Sequence, residues 1–410
     1  MAVTALPIPA EEYDGFLKQI AHLEIGDPVM QDCKVENILD GLPVLDCLLG
    51  QNVNIDEIDF LAKRLESLSE DEKTQFQAMA HVMNLTNLRS LINLTFSIGN
   101  VTVIRDFTDL EQVGKTHFLH TSDDDVSPEI MRHVNGTQVA KDLLEKQNGL
   151  ITPYGIAYPN GMEVLDIYHG GNFPEYQDGE SVLVGTVSHR EELSAPSEYA
   201  WLYFPTSKSR LERTLIRGGL DKEAALFLRL ECCQEQEEIP EGVGGEILDA
   251  IGCDWKISPG DSLLAELNTM CRAIAPLSED ERQKLSAVIQ YAHPHEPLQI
   301  AQLAKHLGEF DFIPGAQEPE DYARHVIMES GEYDCDARLE PYINFELYAQ
   351  SCMPLDGEFT QRGYIEYMGR GTLEAIMTPA LPGQEAEPAR QTQQGRPHCQ
   401  KRSGKTKPER

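Results

Sequence analysis

The chain has 410 residues, 41% of them hydrophobic, and 68 Asp and Glu against 34 Lys and Arg give it a formal net charge of −34. Its length exceeds what one ordinary core needs and predicts two or three globular domains. So acidic a chain repels nucleic acid and anionic membranes. It favours cationic partners, through long-range forces that salt screens.

Targeting and redox signals favour a cytoplasmic protein. The start, MAVTALPIPAEEYDG, has neither a basic flank nor a long apolar core, so no signal peptide is predicted. No stretch approaches the roughly 18 apolar residues of a membrane span. The nine cysteines form no C-x-x-C pair, which indicates a reducing compartment.

The first strong local signal is a helix start at Ser69. Ser69 and Glu72 fit the S-x-x-E capping box, in which hydroxyl and carboxylate satisfy free amides at the beginning of a helix. Upstream, apolar residues recur at helical spacing and predict a preceding amphipathic helix: Ile58, Leu61, Leu65 and Leu68. LSEDEKTQF (68–76) therefore joins two helices.

The same pattern returns 209 residues later, as LSEDERQKL (277–285). At this constant offset, eleven of the 59 positions from Glu57 to Lys115 are identical. We interpret the chain as a tandem duplication, with a divergent first copy at 1–165, a connecting segment at 166–180 and a second copy at 181–378. The period is far too long for a solenoid, so each copy should be globular.

Between the two helix pairs the sequence predicts strands. Residues 155–171 indicate two short strands around the turn Pro159-Asn160-Gly161. SVLVGTV (181–187) and YAWLYFP (199–205) are further strands, and a helix from Lys208 to Arg217 should end at Gly218-Gly219. The predicted fold class is α+β, an elongated array of small helix-rich domains.

The end of the chain has a different composition. From Pro382 to Arg410, seven basic residues face three acidic ones, and apolar periodicity is absent. Residues 379–410 are therefore predicted to be a disordered basic tail.

The search for catalytic, cofactor or metal sites yields none. His117 and His120 form an H-x-x-H pair without the Glu of a zincin helix, and the glycines at 242–245 lack the Lys of a phosphate-binding loop. Many carboxylate pairs exist, and the sequence singles out none of them for acid–base work.

The remaining candidate is a run of eleven acids in which the only opposing Lys or Arg residues are Arg324 and Arg338. The acids are Glu309, Asp311, Glu318, Glu320, Asp321, Glu329, Glu332, Asp334, Asp336, Glu340 and Glu346. One reading is a solvated helix face. The other is an imitation of a polyanion, because duplex DNA carries about one charge per 1.7 Å and a helix rises about 1.5 Å per residue.

Residues 320–367, which include YARHVIMESG (322–331) and YINFELYAQSCM (342–353), resemble ArdA-type antirestriction proteins. Residues 263–292 resemble another segment of that family, and the order of the segments agrees. The resemblance places Tyr322, Arg324, Ile327, Glu329 and Gly331 in the family's antirestriction element. It implies that Tyr322 and Ile327 pack inside, while Glu329 and its acidic neighbours present charge.

The resemblance implies a non-catalytic DNA mimic, borne by a mobile genetic element. Its carboxylates would occupy the DNA-binding groove of type I restriction–modification enzymes. It also implies a homodimer, which two linked copies could replace as an intramolecular pseudo-dimer. The acidic body should bind neither DNA nor membrane. The alternative is a non-inhibitory scaffold or accessory protein of the mobile element that makes its contacts through the basic tail.

Overall fold

The computed structural model describes residues 2–39, 41–122, 126–146, 148–176, 181–192, 195, 198–221, 223–232 and 242–378. Within these ranges the helices are α1 (Ala10–Ala21), α2 (Ile55–Glu66), α3 (Glu70–Val82), α4 (Leu88–Leu94), α5 (Leu110–Thr121), α6 (Pro128–His133), α7 (Gly136–Lys146), α8 (Lys208–Arg217), α9 (Val243–Ile251), α10 (Leu263–Ile274), α11 (Glu279–Ala292), α12 (Pro297–Lys305), α13 (Pro319–Arg324), α14 (Phe345–Cys352) and α15 (Leu373–Met377).

The strands are β1 (Cys33–Lys34), β2 (Asn52–Val53), β3 (Thr102–Ile104), β4 (Leu150–Thr152), β5 (Gly155–Tyr158), β6 (Leu183–Ser188), β7 (Tyr199–Phe204), β8 (Leu226–Cys232), β9 (Asp254–Ile257), β10 (Phe310–Pro314), β11 (Glu358–Thr360) and β12 (Gly363–Tyr367). Over the described residues they form four small sheets, ordered β1-β2, β3-β5-β4, β7-β6-β8-β9 and β10-β12-β11. Every pairing in these sheets is antiparallel. The predicted α+β class is confirmed.

Both predicted capping boxes are present. The Ser69 amide donates to Glu72 Oε2 at 2.8 Å at the start of α3, and the Ser278 amide donates to Glu281 Oε2 at 2.9 Å at the start of α11. The local sequence was sufficient for this prediction, because every partner lies within three residues.

The two regions 55–158 and 263–367 run through the same succession of elements. In each, three helices lead to a short 3₁₀ turn and a strand, and three further helical segments precede a closing hairpin. The closing strand lies in the middle of its sheet in both, as β5 and as β12. Even single bonds correspond: Gln75 Nε2 donates to the Val101 carbonyl, and Lys284 Nζ donates to the Phe310 carbonyl, each at 2.7 Å.

The regions that precede these successions differ from each other. Strands β6 and β7 confirm the two strand predictions there, and the predicted helix Lys208–Arg217 is α8. They belong to a four-stranded sheet, whereas the described residues before α2 hold only the two-stranded β1-β2. One strand prediction was wrong: β5 precedes the turn at Asn160, but 162–169 is not a strand, since it packs and bonds against α4.

A row of ion pairs joins α2 to α8. Three arginines of α8 face three acids of α2 in the pairs Arg210–Asp59 (3.6 Å), Arg213–Asp56 (2.8 Å) and Arg217–Glu57 (3.5 Å). All three acids are buried. Tyr168, in the predicted connecting segment, is fully buried here and its hydroxyl donates to Glu57 Oε1 at 2.7 Å. This part of the connecting segment thus lies within the contact between α2 and α8.

Candidate functional site

The acidic candidates lie in a small unit made of the sheet β10-β12-β11 and two helical segments. Helix α13 continues into a five-residue π-helical segment, His325–Glu329, and packs on α14 through the buried side chains of Ala323, Phe345 and Ala349. Tyr322 and Ile327 are buried, which confirms their predicted packing. A long, largely exposed loop from 330 to 344 links the two helical segments.

Two of the candidates, Glu309 and Asp311, lie at the sheet. Glu309 accepts from the Tyr367 hydroxyl at 3.1 Å and lies 2.8 Å from Nδ1 of His306. Asp311 on β10 stands directly opposite Glu366 on β12. Like charges in such positions destabilise a sheet. Burial lowers the pKa of Lys284, and the nearby Asp311 carboxylate opposes that shift.

Three candidates begin helix α13. Asp321 accepts from the backbone amides of Gln317 and Glu318 at 3.0 and 3.1 Å, so its carboxylate stabilises the helix start. Glu318 and Glu320 are exposed. Negative charge here is favourable because it lies at the positive end of the helix dipole. Of the three acids, at least Asp321 therefore stabilises the start of this helix.

The other candidates follow the π segment and the loop. Glu329 lies 2.9 Å from Nδ1 of His325, and π segments occur frequently at functional sites. Glu332 and Asp334 are exposed. Glu346, at the start of α14, accepts from Gln350 Nε2 at 3.2 Å.

Both arginines of the run are bound to acids of the same run. Arg338 Nε donates to Asp336 Oδ1 at 3.0 Å, and this hydrogen bond keeps the pKa of Asp336 below its usual range. Arg324 pairs with Glu340, which lies 16 residues further along the chain. In these pairs an arginine compensates the charge of Asp336 and of Glu340.

The eleven acids thus come from a sheet, a helix start, a π segment, a loop and a second helix. From Glu318 to Glu329 the chain rises about 16 Å, a length over which duplex DNA carries roughly nine phosphate charges. This stretch supplies four of the candidate acids. One helix therefore cannot match the density of DNA, and any such match needs the whole unit.

The first half of the chain, the predicted first copy at 1–165, lacks most of these charges. At the offset of 209, seven of the eleven acids are replaced by neutral or weakly basic residues: Asn100, Thr102, Gln112, His120, Ser127, Met131 and Thr137. Acids stand at the other four positions, two of which, Asp123 and Asp125, lie outside the described residues. Among the described residues, the dense carboxylate surface belongs to the second half, which a comparison of the two halves at this offset could have revealed.

Sequence reasoning missed Glu366, whose relation to Asp311 depends on the strand register. It also missed the apolar side chains of Leu339 and Tyr342, which are 51% and 86% exposed among the acids. An apolar residue in an acidic loop is visible in the sequence, but its exposure is not.

The H-x-x-H pair lies in α5, which holds the place in the order of elements of the first half that α13 holds in the second. Nδ1 of His117 and Nδ1 of His120 lie 3.0 and 3.2 Å from the same hydroxyl, that of Thr102. Burial lowers the pKa of both histidines. Among the described residues, no group of three or more His, Cys, Asp or Glu side chains could hold a metal ion. Nor does any helix in the described ranges have the length and apolarity to cross a membrane.

The fold and the site define a class: an α+β protein whose second half carries a dense, mostly exposed carboxylate surface. Residues 252–366 match the model of the antirestriction protein (ArdA) family, so the chain is similar to ArdA-type antirestriction proteins over this segment. The match spans β9 to β12 and includes all eleven candidate acids and Glu366. No curated protein matches the chain.

Proposed function

We propose that the second half is an acidic DNA mimic that occupies the DNA-binding groove of type I restriction–modification enzymes in the cytoplasm. The observation that carries the proposal is the coincidence of the matched antirestriction segment with the carboxylate surface. The first half has neither the family match nor most of the acids.

The mechanism is binding without a chemical reaction. Exposed carboxylates such as Glu320, Glu332 and Asp334 attract the lysines and arginines that otherwise hold phosphates. These contacts are electrostatic, so the affinity should fall steeply as salt rises. A protein that fills the groove excludes DNA by competition, and the enzyme then neither cleaves nor methylates.

We further propose that the chain arose by tandem duplication on a mobile genetic element and works as an intramolecular pseudo-dimer. The matching succession of elements and the matching Gln75 and Lys284 hydrogen bonds support the duplication. The buried ion pairs between α2 and α8 support a fixed relation between the halves. In this arrangement the first half serves as a structural partner of the second.

The test is inhibition of a type I restriction enzyme by two variants of equal charge. The first neutralises exposed acids of the second half: Glu320→Gln, Glu332→Gln, Asp334→Asn and Glu346→Gln. The control neutralises exposed acids of the first half: Glu11→Gln, Glu12→Gln, Glu129→Gln and Glu163→Gln. Because both lose four charges, general effects of net charge cancel.

We expect the second-half variant to inhibit more weakly and its binding to depend less on salt, while the control behaves as the original chain. Circular dichroism should show equal folding of both variants. Equal inhibition by the two variants would remove these acids from the proposal. Failure of the original chain to displace DNA from the methyltransferase core at low salt would contradict the proposed function itself.

A further inference from the structure

The loop between α13 and α14 presents two apolar side chains where charge would be expected. The 3₁₀ helix Ala337–Tyr342 holds Leu339 and Tyr342, 51% and 86% exposed. Residues three apart lie on one face of a 3₁₀ helix, so the two side chains are neighbours. The core of this unit is filled by other residues, among them the buried Phe345, and does not need them.

The 3₁₀ helix that carries this pair is held in place. Asp336 caps it by accepting from the Arg338 amide at 3.0 Å, and Glu340 is bound by Arg324. The Arg324 guanidinium in turn lies 4.7 Å from the ring centre of Phe345, in the core. An exposed apolar pair on an anchored segment loses little conformational freedom on binding, which favours affinity.

The chain on either side of the pair is mostly acidic, because the exposed Arg338 beside Leu339 is bound to Asp336. Glu332 and Asp334 precede the 3₁₀ helix and Glu346 follows it, all three exposed. An apolar centre with a charged rim is the usual arrangement of a protein–protein interface, and aromatic residues dominate the energetics of such centres. A partner that fits must combine an apolar depression with a basic rim.

We propose that Leu339 and Tyr342 form the apolar anchor by which this protein binds a basic groove on its enzyme partner. The inference rests on the proposed function and extends it, because a phosphate path has no counterpart to these two side chains. The anchor would give contacts that DNA cannot make with the groove. It adds affinity that does not fall with salt, beside the carboxylate contacts that do.

A second copy of this chain fits the surface less well than a basic partner. Pairing two such faces would bring Glu332, Asp334 and Glu346 of one copy towards the same acids of the other. Juxtaposed like charges oppose association. Charge complementarity therefore favours the basic groove.

The test measures the Kd for a type I methyltransferase core at low and at high salt. The variant is Leu339→Ser with Tyr342→Ser. The control is Leu165→Ser with Ile151→Ser, in the first half, where the side chains are 53% and 87% exposed. We expect the variant to raise the Kd at least about 10-fold at both salt concentrations, as for a pair of interface hot spots. Its salt dependence should equal that of the control.

Three results would overturn the inference. A Kd equal to that of the control, with the original chain binding well, would reject the anchor and leave the mimic standing. If sedimentation showed that the original chain is a dimer and the variant a monomer, with unchanged affinity for the enzyme, the surface would instead be a dimer interface. If the original chain shows no binding at low salt, the mimic and the anchor fail together. A folding defect is excluded if both variants have the same thermal unfolding midpoint as the original chain.

Discussion

Replacing Arg213 by Met should strongly destabilise the contact between α2 and α8. Arg213 Nε donates to both oxygens of Asp56 at 3.1 and 3.0 Å, and Arg213 Nη1 donates to the Gly26 carbonyl at 2.6 Å. Burial alone would lower the pKa of Arg213, but its hydrogen bonds and attraction to Asp56 outweigh this and raise it. The substitution leaves Asp56 buried, with the Tyr13 hydroxyl still donating to it at 2.7 Å.

The size of the effect follows from the burial of the pair. The side chains of Arg213 and Asp56 are 12% and 8% exposed, and breaking such a pair costs about 3 to 5 kcal/mol. The remaining bond from Tyr13 places the expected loss at the lower end, about 3 kcal/mol. The matched control is Arg229→Met. Its pair with Asp254 is 60% and 69% exposed, so its loss should change the stability far less than that of the buried pair.

Urea unfolding followed by tryptophan fluorescence measures this difference. Both tryptophans, Trp201 and Trp255, lie in the sheet next to α8, on β7 and β9. A second variant, Arg213→Met with Asp56→Leu, should regain part of the stability, since it leaves no buried carboxylate without its cation. If Arg213→Met lost no more stability than Arg229→Met, the ion pairs would not hold the two halves together.

Three further predictions concern other parts of the chain. Gly114→Ala should destabilise the crossing of α5 and α7 by about 1 to 3 kcal/mol, because the added Cβ would clash with the Gly136 carbonyl oxygen. The control in the same thermal melts is Gly99→Ala, where the added Cβ would meet open space. Burial lowers the pKa of His117, so the unfolded chain takes up its proton first as the pH falls below about 6.5. The free energy of unfolding should therefore fall there, by at most about 1.4 kcal/mol per pH unit. The variant His117→Gln should flatten the curve of urea midpoint against pH. A chain that lacks residues 379–410 should inhibit a type I enzyme as well as the full chain, whereas loss of function on this deletion would favour the scaffold that acts through its basic tail.

Much of the fold could be predicted because its signals are local. The two capping boxes and helix α8 depend on residues within a few positions of each other. The failed second strand after Asn160 shows the limit of such reasoning. It contains Val164, Ile167 and Tyr168, residue types common in strands, but Asn93 and Arg89 of α4 bind the backbone of Tyr168 and hold this segment against a helix instead.

The sequence identifies the candidate acids but does not show which of them have structural roles. Composition marks the eleven acids without assigning their roles. Asp321 binds the amides of Gln317 and Glu318, a local capping arrangement that the acidic run concealed. The pairing of Arg324 with Glu340 lies across the loop, and it depends on where the chain returns after a turn.

The sequence by itself determined the acidity, the pattern shared at an offset of 209 residues, the helix starts and the family resemblance, since these are properties of composition or of neighbouring residues. Only the tertiary structure decided which charges are neutralised inside the protein and which remain outside. Arg213 and Asp56 are 157 residues apart, and they meet because α2 and α8 pack together. An ion pair costs or gains free energy according to its burial, which no single segment of the chain specifies.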